Sequence, residues 1–245
     1  MEKSLLIWGI HPLEEALRAN PQFIKWVEVL PSFGRKKSQK FLLEKLKKQN
    51  VLIRQVDDFH RHLLPKGAVH QGICAKVLIF WETSLDKIID SALSSRETIV
   101  ICDQIEDPQN LGALIRAAVA FFAAGIVIPQ KQNAPINGTV VKASSGALFH
   151  ARICTTKSIF SVVEEMHEKS VLTVGLDARG ETPIYRLGTE GPCCLVLGSE
   201  SKGIRKNLKR QLDILASIPI NPVLDSLNVS NAASIALYEL GRKRL

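Results

Sequence analysis

The chain has 245 residues, 46% of them hydrophobic and 23% charged, a composition that is ordinary for a globular protein and excludes disorder of the whole chain. No run approaches the roughly 18 apolar residues of a membrane span, and the apolar stretch near the N-terminus is too short for a signal peptide. The five cysteines include no Cys-x-x-Cys pair. We therefore expect buried free thiols in a cytoplasmic protein, rather than zinc ligands or disulfides.

The formal net charge of +8 is concentrated at one end of the chain. Residues 1–78 contain 14 Lys and Arg against 7 Asp and Glu, whereas residues 79–245 contain 18 against 17. Such asymmetry indicates a part that faces nucleic acid, because neutralising phosphates supplies most non-specific affinity. A solvated lysine-rich helix explains the basic run equally well when the run is taken alone. The candidate RNA contacts are Arg35, Lys36, Lys37 and Lys40.

The N-terminal part alternates short helices and strands. A short helix begins at His11-Pro12, a basic helix is predicted over about 38–49, and strands are predicted over 24–30, 51–56 and 72–80. This pattern predicts a small α/β domain over residues 1–78. A linker with a leading helix follows over 79–96, and a second domain occupies 97–245.

In the second domain, continuous apolar runs alternate with helical periodicity. The runs lie at 98–102, 126–129, 171–176, 194–197 and 214–220. Continuous apolar strands separated by helices are typical of a parallel sheet covered on both faces. The sequence therefore predicts an α/β fold, in which ligands bind beyond the carboxyl ends of the strands.

The first polar segment at a strand end is Asp107-Pro108-Gln109-Asn110. Asp is a preferred N-cap and Pro a preferred first helical residue, so a helix is predicted from here to a stop at Gly125. Arg116 falls off the apolar stripe of this helix and can reach back over the strand end; a plain surface arginine is the alternative. The nearby acids also allow a metal site, although a capped helix with solvated acids is simpler. These acids are Asp103, Glu106 and Asp107.

Two further polar segments follow apolar runs. Gly198-Ser199-Glu200 ends the run at 194–197, and Ser226-Leu227-Asn228 precedes a final helix predicted from Asn231 with Ser230 as its cap. Taken singly, the two segments fit a tight turn and a helix cap. No Gly-x-Gly-x-x-Gly follows any strand, which argues against a classical dinucleotide-binding loop.

Taken together, these segments resemble a known family. The order DPQN-LGALIRAA, LVLGSESKGI and IPI…SLNVS, over about residues 98–240, resembles the three motifs of the TrmH (SpoU) family in the SPOUT class of RNA methyltransferases. Residues 8–12 and 69–73 resemble the substrate-binding domain of the branch that methylates a guanosine of 23S rRNA at its ribose 2′-oxygen. That domain is similar to small RNA-binding ribosomal proteins. Family enzymes that act on the tRNA D-loop lack it, which favours an rRNA substrate.

The resemblance implies a C-terminal trefoil knot that binds S-adenosylmethionine, a homodimer formed through this domain, and no metal. Carried over by motif position, Gly198, Ile218 and Leu227 hold the cofactor. The family assigns activation of the ribose 2′-hydroxyl to Arg116, which we interpret as a clamp on phosphate and developing alkoxide because arginine deprotonates so reluctantly. The remaining candidate catalytic residues orient Arg116 and the ribose. They are Asn110, Glu200, Ser226 and Asn228.

Two alternatives stay open on the sequence. One is a tRNA ribose 2′-O-methyltransferase, and the other is a catalytically silent RNA-binding or ribosome-assembly protein with the same fold. The presence of Arg116, Asn110 and Glu200 weighs against the silent protein.

Overall fold

The computed structural model describes residues 3–62, 64–187 and 191–242. The outermost ends of the two predicted domains, 1–2 and 243–245, lie outside the described residues. The chain forms two compact units, Met1–Trp81 with Ile136–His150 and Glu82–Pro135 with Ala151–Leu245. The sequence-based boundaries place 136–150 in the C-terminal domain instead. No helix in the described part of the chain is long and apolar enough to cross a membrane.

The elements alternate along the chain as the sequence indicates. The strands are β1 (Ser4–Trp8), β2 (Ile24–Val29), β3 (Ile53–Gln55), β4 (Ile73–Leu78), β5 (Thr98–Cys102), β6 (Gly125–Pro129), β7 (Ile153–Thr156), β8 (Leu172–Leu176), β9 (Thr182–Pro183), β10 (Cys193–Leu197) and β11 (Ile214–Ser217). The α-helices are α1 (Ile10–Ala19), α2 (Lys37–Lys48), α3 (Leu85–Ser95), α4 (Pro108–Ala120), α5 (Gly138–Ala143), α6 (Ile159–Glu168), α7 (Lys206–Lys209) and α8 (Val229–Gly241).

The first unit contains a four-stranded sheet in the order β1-β4-β2-β3. Strand β4 is antiparallel to both β1 and β2, while β3 runs parallel to β2. Helix α2 buries Leu42 and Leu46 and leaves its lysines exposed. The predicted α/β character of this part is confirmed.

The segment 136–150 of the first unit begins at a side-chain cap. Asn137 Oδ1 accepts hydrogen bonds from the N–H groups of Thr139 at 2.9 Å and Val140 at 3.2 Å. Gly138 has no room for a side chain, because a Cβ there would collide with the Trp8 ring and the Leu6 carbonyl oxygen. Helix α5 therefore lies directly against strand β1.

The second unit contains a seven-stranded sheet in the order β7-β6-β5-β10-β8-β11-β9. All neighbouring strands in it are parallel, so the predicted parallel sheet is confirmed. Residues of α3 and α6, such as Ile88 and Val162, share one buried cluster with Ile101 of β5 and Val196 of β10. The trefoil knot that the resemblance implies stays a prediction.

Two details of the predicted helix ends are wrong. Helix α4 ends at Ala120, and Phe122 supplies the left-handed backbone with a φ of 56°. Gly125 is instead the first residue of β6, where a Cβ would collide with Ile88. Helix α8 is capped by Asn228 rather than Ser230, because Asn228 Oδ1 accepts from the backbone N–H groups of the first turn.

All five cysteines are buried free thiols. Burial, together with the negative charge of Asp103, raises the pKa of the Cys102 thiol to about 12. Such thiols stay protonated at neutral pH and behave as small apolar side chains.

Candidate active site

The first motif lies at the junction of β5 and α4. Asp107 Oδ1 accepts from the Gln109 N–H at 2.9 Å, and Pro108 is the first helical residue, as predicted. Asn110 follows in the first turn. Arg116 lies further along α4 on its exposed side.

An ion pair between a buried carboxylate and a partly exposed guanidinium joins the loop after β5 to the loop after β10. Asp103 is 0% exposed; its Oδ1 lies 2.8 Å from Arg205 Nε, and its Oδ2 accepts from the Arg205 N–H at 3.0 Å. The Asp103 N–H in turn donates to the Leu197 carbonyl at 2.7 Å. The sequence did not single out Arg205. The position of Asp103, directly after the apolar run at 98–102, could have indicated such a partner, because a buried carboxylate needs a cation or hydrogen-bond donors.

The second motif folds back on itself through two glycines. Ser199 and Gly203 exchange backbone hydrogen bonds of 3.2 and 2.8 Å. Gly198 is buried, and a Cβ there would collide with the backbone of Gly203 and Ile204. Gly203 has a φ of +66°, which favours glycine. This tight loop leaves Glu200 exposed between its two ends.

Asn228 connects all three motifs. Its Nδ2 donates to Asn110 Oδ1 at 3.0 Å and also to Glu200 Oε1. Its Oδ1 accepts from the N–H and the hydroxyl of Ser230 at 2.9 and 2.6 Å. The three polar segments therefore meet at the carboxyl ends of the strands, as the sequence predicted. The chemical role of each side chain stays a prediction.

A cavity of about 710 Å³ lies beside this network. The three residues predicted to hold the cofactor, Gly198, Ile218 and Leu227, all line it, and Ser226 and Glu200 do so as well. Its volume is within the range of small-molecule sites, and its walls combine apolar side chains with backbone polar groups. We refer to it below as the main cavity.

The main cavity contains an ionised carboxylate. Burial alone would raise the pKa of Asp177, but the ion pair with Lys209 and the hydrogen bond from the Arg179 N–H outweigh burial. The pKa of Asp177 therefore lies below its ordinary value. Its charge is balanced by Lys209, which lines the same cavity.

A second, smaller cavity of about 220 Å³ lies on the other side of the Glu200 loop. The two cavities share residues 199–202 and Val229 as lining. Asn110 lines only the smaller one. We refer to it as the side cavity.

The other predicted residues do not line these cavities. Arg116 lines neither of them. The candidate RNA contacts belong to the first unit, where the Gln39 side chain accepts from the N–H groups of Gly34 at 3.1 Å and Lys36 at 3.2 Å. All of these candidate contacts have exposed side chains; they are Arg35, Lys36, Lys37 and Lys40.

The acids near β5 do not converge as metal ligands. Asp103 pairs with Arg205, and Asp107 caps α4. In the described part of the chain, one group of three potential ligands lies within 4.8 Å, formed by Glu28, His62 and Cys74 of the first unit. His62 Nε2 already contacts Glu28 Oε2 at 2.6 Å, which is the geometry of a hydrogen-bonded ion pair.

Comparison with family models decides the family to which the chain belongs. The model of the SpoU rRNA Methylase family matches residues 97–238, more than half of the chain. The chain belongs to the SpoU rRNA methylase family. The family model for RNA 2′-O ribose methyltransferase substrate binding matches residues 6–78. Both matches confirm the resemblance stated from the motifs.

Individual members of the SpoU family agree over most of the chain. A putative TrmH family tRNA/rRNA methyltransferase, YacO of Bacillus subtilis, is 35% identical over 83% of this chain and 82% of its own length. The 23S rRNA (guanosine-2′-O-)-methyltransferase RlmB of Xylella fastidiosa is 31% identical over 99% of this chain and 98% of its own. The SpoU methyltransferase AviRb of Streptomyces viridochromogenes, solved with AdoMet, has the same fold: TM-score 0.80, 24% identity, coverage 98% of this chain and 90% of AviRb.

The buried ion pair yields a stability prediction. Arg205→Met removes the guanidinium and leaves the buried Asp103 carboxylate without its cationic partner, while the backbone N–H of residue 205 remains as a donor. We expect the free energy of unfolding to fall by about 3 kcal/mol, as measured by urea denaturation followed by circular dichroism. The matched control, Arg210→Ala, removes an exposed arginine nearby and should change stability by less than about 0.5 kcal/mol. Equal effects of both changes would contradict a structural role for the pair.

Proposed function

We propose that the protein transfers the methyl group of S-adenosylmethionine to the ribose 2′-oxygen of a guanosine in 23S rRNA. The observation that carries this proposal is the meeting of the three family motifs at Asn228, beside a cavity of cofactor size. Relatives named as 23S rRNA guanosine 2′-O-methyltransferases extend over both units of this chain and support the choice of substrate.

The main cavity suits S-adenosylmethionine. Adenine has flat apolar faces and a polar edge, which match apolar side chains such as Ile218 and Leu227 beside backbone amides and carbonyls. The sulfonium and ammonium groups are cationic, and the exposed carboxylate of Asp225 lines the same cavity, where Asp177 is already paired with Lys209. When bound, the cofactor supplies a methyl group that is already activated for transfer.

The residues of this chain supply positioning and electrostatics. An arginine guanidinium stays protonated at neutral pH, which makes it a poor general base for the ribose 2′-hydroxyl. We therefore assign to Arg116 a clamp on the target phosphate and stabilisation of the developing alkoxide. Asn110, Glu200 and Asn228, already hydrogen-bonded together, orient the ribose, and Ser226 contributes from the cavity wall.

The substrate is held by the first unit in this proposal. The exposed basic residues just before α2 and in its first turn, including Arg35 and Lys40, neutralise RNA phosphates. The family model for RNA 2′-O ribose methyltransferase substrate binding matches residues 6–78 of this unit, which supports RNA as the substrate. Cytoplasmic location follows as a prediction from that substrate. A tRNA substrate is the alternative, and the name of the Bacillus subtilis relative allows either RNA.

A homodimer through the second unit is also proposed. Apolar side chains are exposed at the end of α4 and on α8, with Phe122, Tyr238 and Ile235 at 59%, 50% and 43%. Ile235 and Tyr238 are three residues apart on one side of α8, and the Phe121 ring at the end of α4 contacts Tyr238, with ring centroids 5.8 Å apart. An apolar surface of this kind marks a site of protein association. Arg116 lines neither cavity within one chain, and a dimer supplies a second chain that can complete the site.

The first test separates enzyme from silent binder. We expect calorimetric titration to detect S-adenosylmethionine binding to the wild type, and Arg116→Ala to keep this affinity while lowering kcat by at least about 100-fold. The reason is that Arg116 acts on RNA and lies outside the main cavity. The control is Arg210→Ala, which should retain activity. Absence of cofactor binding by the wild type contradicts the proposed enzyme, and equal loss of binding and turnover in Arg116→Ala shows a structural role instead.

The second test concerns the RNA. In a strain lacking the gene, we expect ribose-methylation mapping of rRNA and tRNA to show the loss of one 2′-O-methylguanosine in 23S rRNA. Wild-type protein should restore it, and Arg116→Ala should not. Loss of a tRNA methyl group with all rRNA positions retained would overturn the rRNA assignment.

The third test concerns the dimer. Ile235→Glu places a charge in the exposed surface of α8, and we expect it to convert a dimer into a monomer in sedimentation velocity experiments. Leu93→Glu is the matched control, because Leu93 is 41% exposed on α3, away from that surface. A wild-type monomer, or a dimer unaffected by Ile235→Glu, would count against this interface.

A further inference from the structure

The side cavity is a built feature rather than a gap between mobile loops. One wall is formed by residues 104–107 and Asn110, the other by residues 199–202. The first wall is braced from behind, because the Ile105 N–H donates to Asn133 Oδ1 and the Ala134 N–H donates to the Ile105 carbonyl at 2.8 Å. Gln104 is held at a φ of +64° and donates to Gln132 Oε1 at 3.3 Å.

The position of the side cavity relates it to the methyl acceptor. It meets the main cavity at the Glu200 loop, and Asn110 and Glu200 line it while being joined through Asn228. A ribose held by these three polar side chains has one cavity on each side. If the cofactor occupies the main cavity, the base of the acceptor nucleotide reaches the side cavity. Its volume of about 220 Å³ is too small for a whole drug-sized ligand but leaves space for part of one.

The charge of the side cavity excludes a phosphate as its occupant. Three carboxylates line it, against the single cation Lys202, although the protein as a whole carries a net charge of +8. Two of the three are engaged, because Asp107 caps α4 and Glu200 accepts from Asn228. The third, Glu106, is exposed, and no contact to its carboxylate is seen within residues 3–62, 64–187 and 191–242.

A free carboxylate in this position selects among the four bases. Its two oxygens accept a pair of parallel hydrogen bonds. Guanine presents two adjacent donors, N1–H and the N2 amino group, on its Watson–Crick edge. Adenine and cytosine each place a ring acceptor beside their amino group, and uracil places its N3–H between two carbonyls, so each of them would direct a lone pair at the carboxylate.

We propose that the side cavity is the subsite for the target guanine and that Glu106 determines specificity by accepting from its N1–H and N2 amino group. This inference rests on the proposed function, because it requires that the acceptor ribose be held at Asn110, Glu200 and Asn228. It explains physically why a guanosine is methylated rather than another nucleoside.

The test crosses a change in the base with a change in the protein. A synthetic RNA containing the mapped target is prepared with guanosine or inosine at that nucleotide; inosine lacks only the N2 amino group. For the wild type, we expect inosine to lower kcat/KM by about 10- to 100-fold, the loss of one hydrogen bond to a charged group. For Glu106→Ala the two RNAs should be methylated at nearly equal, low rates. Glu106→Gln should give an intermediate ratio, because it keeps one acceptor oxygen.

Two controls separate specificity from stability and from cofactor binding. Glu164→Gln removes an exposed carboxylate on α6 that lines neither cavity, and it should keep the wild-type ratio. Glu106 does not line the main cavity, so calorimetry should show unchanged S-adenosylmethionine affinity in both Glu106 variants.

The outcomes are distinguishable. If the wild type does not discriminate between the two RNAs, or if Glu106→Ala discriminates as strongly as the wild type, the N2 amino group is not read by Glu106 and the subsite is wrong. If the wild type binds the cofactor and methylates no RNA, the proposed function itself is wrong, and the subsite with it.

Discussion

The buried contact between Asp103 and Arg205 is the interaction on which the arrangement of the site depends. It connects the ends of two neighbouring parallel strands, β5 and β10; Asn110 lies in the first turn of the helix that follows β5, and Glu200 lies in the loop that follows β10. Because Asp103 is fully buried, its charge tolerates neither loss of the cation nor displacement of the loop that holds it. This contact holds the two segments together where the Asn228 amide donates to both Asn110 and Glu200.

The parallel sheet explains why polar residues distant in sequence lie together. Its strands end at one edge, and the loops that leave this edge form both cavities. Glycines at the end of β10 bring the backbone close to the main cavity, while the hydrogen-bonded wall at residues 104–107 closes the side cavity. One loop, around Glu200, thus separates the proposed cofactor site from the proposed nucleotide site.

The two units divide the physical tasks. The first has a basic surface, which attracts RNA without regard to sequence, and the matched substrate-binding family model covers it. The second is nearly neutral, and three of its carboxylates line the side cavity, which is the proposed guanine subsite. A basic surface gives affinity, whereas a carboxylate that repels phosphate can recognise only the donor edge of a base.

Local signals in the sequence determined much of this protein. Continuous apolar runs predicted the parallel strands, Asp107-Pro108 predicted the start of α4, and the order of three motifs indicated the family and the residues that line the main cavity. Other features needed the tertiary structure. Asn228 replaces Ser230 as the cap of α8, and the ion pair of Asp103 joins residues about a hundred positions apart. The side cavity likewise exists only between two loops. Hydrophobic periodicity and helix capping depend on residues that are neighbours in the sequence. The ion pair of Asp103 and the walls of the side cavity depend on residues that become neighbours only when the chain folds.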